Sequence, residues 1–347
     1  MLAELTERLI GRWDVARFGR APRTLSYLGV AGRVEGGTTS LLAFADGDAR
    51  PRLAVKIHRR DDGGAAVRSE AAILERLHGR ADLAGSVPEV VLAERIAGSW
   101  ILVQSAFDGP PLRIETDLRR RAQDAERVFR WLARLPVERG PDAAGRIRRR
   151  ALALSDELRG TVGDATGIAA LVAAIDVDTV AAQGAVVAHG DLTPHNILVT
   201  HGGLAVIDWT DARDDGFALE DAVLFLSHLY VLRARSGRDA RSVPDAFARA
   251  FVDRGPERDA VRALVRHQAA ALGIPAVAVP HLLTMSFVAL AASEARRLRD
   301  ASDRGSWPLF ALHRAAAEGL ERARIAETVP WVSALGVLAA RDGLAFR

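Results

Sequence analysis

The spacing of apolar positions along the chain changes several times, and each change predicts an element. Leu2, Leu5, Leu9 and Ile10 recur at helical spacing, so an opening helix is predicted over residues 2–18. From Thr24 the period shortens. Leu25 and Tyr27, then Leu41, Leu42 and Phe44, flank the loop Val34-Glu35-Gly36-Gly37-Thr38-Thr39-Ser40 in a strand, loop, strand pattern. Leu53-Ala54-Val55-Lys56-Ile57 is an apolar strand with a lysine inside it. The break at Asp61-Asp62-Gly63-Gly64 precedes a helix marked by Val67, Ile73, Leu74 and Leu77, which also carries Glu70. Two more strands, 88–92 and 100–104, run into the extended passage from Ser105 to Pro111. From Leu112 to about Gln183 the pattern is helical. The run 185–188 is apolar, and residues 197–200 and 204–207 read as a hairpin across His201-Gly202-Gly203. A helix over 219–233 follows, then amphipathic runs near 245–252, 257–271, 277–299 and 306–325.

Composition narrows the class. With 347 residues, 49% hydrophobic and 26% charged, the chain is globular and long enough for one two-lobed domain or two domains. It has no cysteine, which excludes disulfides and makes a reducing cytoplasm the simplest location. Residues 1–12 lack the apolar core of a signal peptide. His267 to Ser293 carries no charged side chain other than histidine. Gln268, Pro275, Pro280 and His281 interrupt it, so it reads as two buried helix segments rather than a membrane span. The net charge is +3. Arg119-Arg120-Arg121 and Arg148-Arg149-Arg150 have acidic neighbours and no interleaved aromatics, so they read as solvated helix faces and no nucleic-acid partner is expected.

The candidate chemistry centres on the polar loop His189-Gly190-Asp191-Leu192-Thr193-Pro194-His195-Asn196 and on Ile207-Asp208-Trp209. The hairpin between them brings Asn196, just before its first strand, beside Asp208, just after its second. An amide oxygen there, with the carboxylates of Asp208 and Asp191, suits Mg²⁺ that keeps water and phosphate oxygens as its other ligands. One lysine, Lys56, stands against 46 arginines, and Asn196 is the only asparagine. Lysine is a compact point charge on a thin stem, suited to reaching phosphate oxygens where arginine is too broad.

In its HGDxxxxN form the loop resembles the catalytic loop of aminoglycoside phosphotransferases, choline kinases and related small-molecule kinases. The strand 54–57 resembles the V-A-I-K strand of protein kinases. The likeness spans roughly residues 25–225. It implies an α+β, two-lobed protein-kinase-like fold, with an antiparallel N-lobe sheet and one main helix in residues 1–106. Residues 107–347 then form a larger, mostly helical lobe with the catalytic loop (189–196), the segment 207–209 and a helical acceptor-binding cap. The cofactors implied are ATP, with GTP as the alternative, and Mg²⁺. Lys56 pairs with Glu70, in preference to Glu75, and neutralises the α- and β-phosphates. Gly36, Gly37, Thr38 and Thr39 cover the phosphates, although this loop departs from the GxGxxG pattern of protein kinases. Ser105 and Ala106 meet adenine through their backbones. Asn196 and Asp208 hold the metal, and Asp191 accepts or orients the proton of the acceptor hydroxyl. His189 and Asp221 brace the loop.

Two departures point to a small acceptor. Thr193 stands where many protein kinases have a lysine, and Trp209-Thr210 replaces their Phe-Gly. Asp221 comes only thirteen positions after Asp208, too few for a peptide-docking segment. Residues 225–347 hold 18 arginines against 12 acids, a poor match to polycationic acceptors. The expected acceptor is thus a small hydroxylated molecule: an antibiotic, sugar or amino alcohol. A catalytically silent nucleotide-binding regulator and a kinase of glycan- or lipid-linked acceptors are the alternatives, and the oligomeric state is left open.

Overall fold

A computed structural model describes residues 1–30, 38–59, 63–114, 117–162, 167–232, 242–303 and 330–340. The chain forms two compact units. One is Met1–Leu112 with His195–Ala212, and the other is Arg113–Pro194 with Arg213–Arg347.

The first unit is built on a five-stranded antiparallel sheet. Helices α1 (Leu2–Gly11) and α2 (Val15–Phe18) precede β1 (Leu25–Val30), β2 (Thr38–Ala45) and β3 (Leu53–His58). Helix α3 (Gly63–His78), β4 (Val90–Ile96) and β5 (Ser99–Ser105) follow, and the sheet order is β1-β2-β3-β5-β4. The expected helix over 2–18 is two helices, because the Asp14 carboxylate accepts from the N–H groups of Ala16 and Arg17 and starts a new turn there. Alternation along β3 sorts its side chains onto two faces. Leu53, Val55 and Ile57 join Leu5 and Leu9 of α1 in one core. Lys56 stands on the opposite face, directly across from Leu102, which packs on Val67 and Ala71 of α3. One strand therefore feeds the core with its odd positions and aims its lysine at α3 with an even one.

The hairpin forms at 197–206 as expected, with Ile197 opposite Val206 and Thr200 opposite Gly203. It packs with the first unit, where the segment 207–209 was expected to belong with residues 107–347. Three backbone bonds explain this: Leu112 N–H to the Ile197 carbonyl (2.7 Å), Val199 N–H to Pro110 (2.9 Å) and Val206 N–H to Ser86 (2.8 Å).

In the second unit, the short strands Val137–Glu138 and Arg213–Gly216 flank the strand Ala185–Ala188. That central strand is buried along its whole length, so its backbone groups need partners on both edges. Gly216 fits because a Cβ there would stand 2.4 Å from the Ala188 methyl. The helices Leu118–Leu132, Pro141–Val162, Glu220–Tyr230, Pro256–Ala271 and Val279–Asp303 surround this ribbon. Phe247, Phe251 and Phe287 meet ring to ring at 5.0–5.1 Å in their core. The stretch Ala276–Arg296 is long and apolar enough to cross a membrane, and 67% of its apolar window is buried inside the fold, as in a core helix. Pro280 does not break the helix Val279–Asp303, because it sits in the first turn, where its missing N–H is not needed. The run expected at 306–325 lies outside the described residues.

Candidate active site

Helix α3 places a carboxylate where its pattern calls for an apolar residue. Glu70 shares a face with Val67, Ala71 and Leu74 and is 2% exposed, whereas Glu75 points to solvent. A buried carboxylate needs a partner. Its Oε1 accepts from Lys56 Nζ at 2.6 Å, and Lys56 is itself only 7% exposed. An ammonium group has three protons. The other two go to Asp208 Oδ1 at 2.6 Å and Thr210 Oγ1 at 2.7 Å. Burial alone would lower the Lys56 pKa, but the two carboxylates outweigh it and the net shift is upward, so the ammonium keeps its charge.

The hairpin fixes the other half of this contact. Ile207 N–H donates to the Asn196 carbonyl at 2.9 Å, which seats Asn196 beside the residue that precedes Asp208. Asp208 has φ +65°, a left-handed conformation that aspartate tolerates better than most side chains. Trp209 is fully buried and its indole N–H donates to the Val206 carbonyl at 2.9 Å, anchoring the segment that carries Asp208 and Thr210. Lys56, Glu70, Asn196 and Asp208 are thus brought to one place in the first unit.

Its oxygen donors suit Mg²⁺. Among the described residues no group of three or more His, Cys, Asp or Glu could hold a metal by itself. An amide and a carboxylate at adjoining strand ends are hard oxygen donors, few enough to leave positions for phosphate and water. Of the residues expected at the nucleotide, Gly36 and Gly37 lie outside the described residues. Thr38 and Thr39 open β2, and the Thr38 hydroxyl lies 3.1 Å from His58 Nδ1. The N–H of Ser105 donates to Glu89 and that of Ala106 to Arg52. Neither N–H is available to a base, and the next two along the chain belong to Phe107 and Asp108.

The loop 189–194 belongs to the second unit and is tied down by its own backbone. Asp221, in the first turn of the helix Glu220–Tyr230, accepts from His189 N–H at 2.7 Å and Gly190 N–H at 3.0 Å. Asp191 N–H donates to His189 Nδ1 at 3.2 Å, so that ring nitrogen is unprotonated. Thr193 N–H closes the turn on the Asp191 carbonyl at 2.8 Å. Beside Asp221, Glu220 is also buried and forms two 2.7 Å bonds with Arg150 and a 2.9 Å bond with Arg213. The reading of Arg150 as a solvated charge is therefore corrected: its guanidinium is buried between Glu220 and the Phe217 ring, 4.4 Å from the centroid. No spacing along the sequence reveals a partner seventy residues away.

Burial pushes the Asp221 carboxyl up to about 6, against the pull of the His189 N–H, and the Glu220 charge adds to the rise. Between about pH 4 and pH 6 the folded chain holds a proton there that the unfolded chain has released. This group's contribution to stability therefore falls as pH rises through that window. Relative to Asp221→Asn, which cannot ionise, wild type should lose on the order of 3 kcal/mol across it. Urea unfolding of both proteins from pH 4 to 7 measures the difference, and a constant difference would contradict the assignment.

Among solved structures the chain is similar to a choline kinase from Cryptosporidium parvum Iowa II, with 11% identity, 99% of each chain covered and a TM-score of 0.53. It is also similar to choline kinase LicA from Streptococcus pneumoniae, with 13% identity, 96% of this chain and 99% of that one covered and a TM-score of 0.50. A third is aminoglycoside phosphotransferase APH(3'')-Id from Streptomyces rimosus ATCC10970, with 16% identity, coverage of 83% and 98% and a TM-score of 0.44. No curated protein matches the sequence. The choline kinases share the α+β, two-lobed kinase-like fold with this chain. A model of the phosphotransferase enzyme family matches residues 31–264, a span that holds the Lys56 strand, the 189–196 loop and Asp208 alike. This chain therefore belongs to the phosphotransferase enzyme family.

Proposed function

We propose that the chain transfers the γ-phosphate of ATP to a hydroxyl of a small molecule in a Mg²⁺-dependent reaction. The observation that carries this reading is the buried ammonium of Lys56, held by Glu70, Asp208 and Thr210 beside Asn196. A fixed cation next to two hard oxygen donors suits a triphosphate and its metal better than any neutral ligand. Lys56 neutralises the α- and β-phosphates, with Glu70 holding it in place. Asn196 and Asp208 hold Mg²⁺, which when bound neutralises charge on the β- and γ-phosphates. Gly36, Gly37, Thr38 and Thr39 cover the phosphates. At the base, the backbone carbonyls of Ser105 and Ala106 act with the N–H groups just beyond them. Residues up to about 106 hold the nucleotide, and the region beyond 225 lines the acceptor.

In the transfer step the acceptor oxygen forms a bond to the γ-phosphorus while the bond to the bridging oxygen breaks, and the nucleoside diphosphate leaves. The hydroxyl proton passes to the Asp191 carboxylate and then to solvent. The side chains otherwise position the reactants and stabilise charge.

The test is an acceptor screen with purified protein, ATP and Mg²⁺, following phosphate transfer by mass spectrometry over aminoglycosides, macrolides, sugars, amino alcohols and nucleosides. One acceptor gaining a single phosphate, with loss of activity in EDTA, is expected. Tight ATP binding with no acceptor-stimulated turnover would favour the silent regulator instead.

A further inference from the structure

The Lys56 contact includes a hydroxyl whose own proton none of these roles uses. Thr210 Oγ1 lies 2.7 Å from Lys56 Nζ, 2.9 Å from Asp208 Oδ1 and 3.2 Å from Glu70 Oε2. A hydroxyl has one proton and two lone pairs. The ammonium can only donate, so it takes a lone pair. Both carboxylates can only accept, so they compete for the single proton. Asp208 Oδ1 is the nearer and also receives Lys56. A cation on that oxygen would use the same lone pairs and repel the proton. Rotation about the Cβ–Oγ bond then delivers the proton to Glu70 Oε2 without moving a heavy atom.

We propose that Thr210 is a positioning residue: its hydroxyl keeps its proton and turns the hydrogen bond it donates from Asp208 Oδ1 to Glu70 Oε2 as Asp208 takes the metal. The Lys56–Glu70 pair is thereby held when Lys56 loses its bond to Asp208. The proposal rests on the phosphotransfer reading and gives Thr210 no contact with substrate. It makes nucleotide and metal binding interdependent through Thr210, whereas a merely structural hydroxyl would support both equally.

The side chain of Thr210 is exposed, so Thr210→Val removes the hydroxyl without opening the core. Binding of a non-hydrolysable ATP analogue to the full chain is measured by calorimetry, once with Mg²⁺ and once with EDTA. The proteins are wild type, Thr210→Val and Thr210→Ser, with Thr210→Ala carrying the comparison if circular dichroism shows the valine variant unfolded. The enhancement of affinity by Mg²⁺ should be about fivefold smaller in Thr210→Val, the loss of one modest hydrogen bond. Affinity in EDTA should fall by much less than affinity with Mg²⁺, and Thr210→Ser should restore the enhancement. An enhancement equal to that of wild type, or an equal loss with and without metal, overturns the proposal. A wild-type chain that binds the analogue under neither condition overturns the phosphotransfer reading itself.

Discussion

Asp191→Asn should lower kcat by about 10²–10⁴-fold while leaving ATP affinity nearly unchanged. The loop around Asp191 is held by backbone groups: its N–H rests on His189 Nδ1, its carbonyl receives Thr193 N–H, and Asp221 anchors the two preceding residues. These backbone bonds do not use the Asp191 carboxylate, so the amide variant keeps them while losing the proton acceptor. Steady-state kinetics with the acceptor found in the screen, paired with calorimetry for ATP, separate the two effects. Full turnover in the variant would remove Asp191 from the mechanism.

Lys56→Met should cost about 3–5 kcal/mol of stability as well as nucleotide binding. The loss falls on Glu70, whose side chain is almost wholly buried and would keep, among the described residues, only the 3.2 Å bond from Thr210. Leaving a carboxylate buried without its cation is far more costly than never placing one there. The double variant Lys56→Met/Glu70→Leu should therefore recover most of the lost stability and none of the binding. Urea midpoints of the three proteins read this directly. A Lys56→Met chain as stable as wild type would show that the pair is not held in the folded state.

What could be read from the sequence depended on how local each cause was. The hairpin 197–206 follows from two β-branched runs and a glycine turn, all within ten residues. Lys56 and Glu70 were legible as a pair through the family likeness, since a spacing of fourteen positions from a strand to a helix does not specify a contact by itself. The strand Arg213–Gly216 was missed because Arg-Asp-Asp-Gly has no apolar alternation. Its pairing is imposed by the buried strand Ala185–Ala188, whose edge groups need a partner. Arg150 was misread for a similar reason: one of three adjacent arginines is selected by Glu220, a distant residue. Thr210 looked like a simple departure from a motif, and only the position of its hydroxyl among three charged groups gives it a role.

The most direct measurement is the crystal structure of the chain with a non-hydrolysable ATP analogue and Mg²⁺. The expected arrangement has Asp208 and Asn196 side-chain oxygens about 2.0–2.1 Å from the metal and the Lys56 ammonium on the α- and β-phosphates. A nucleotide bound away from Lys56, or a metal that touches neither Asp208 nor Asn196, would contradict it.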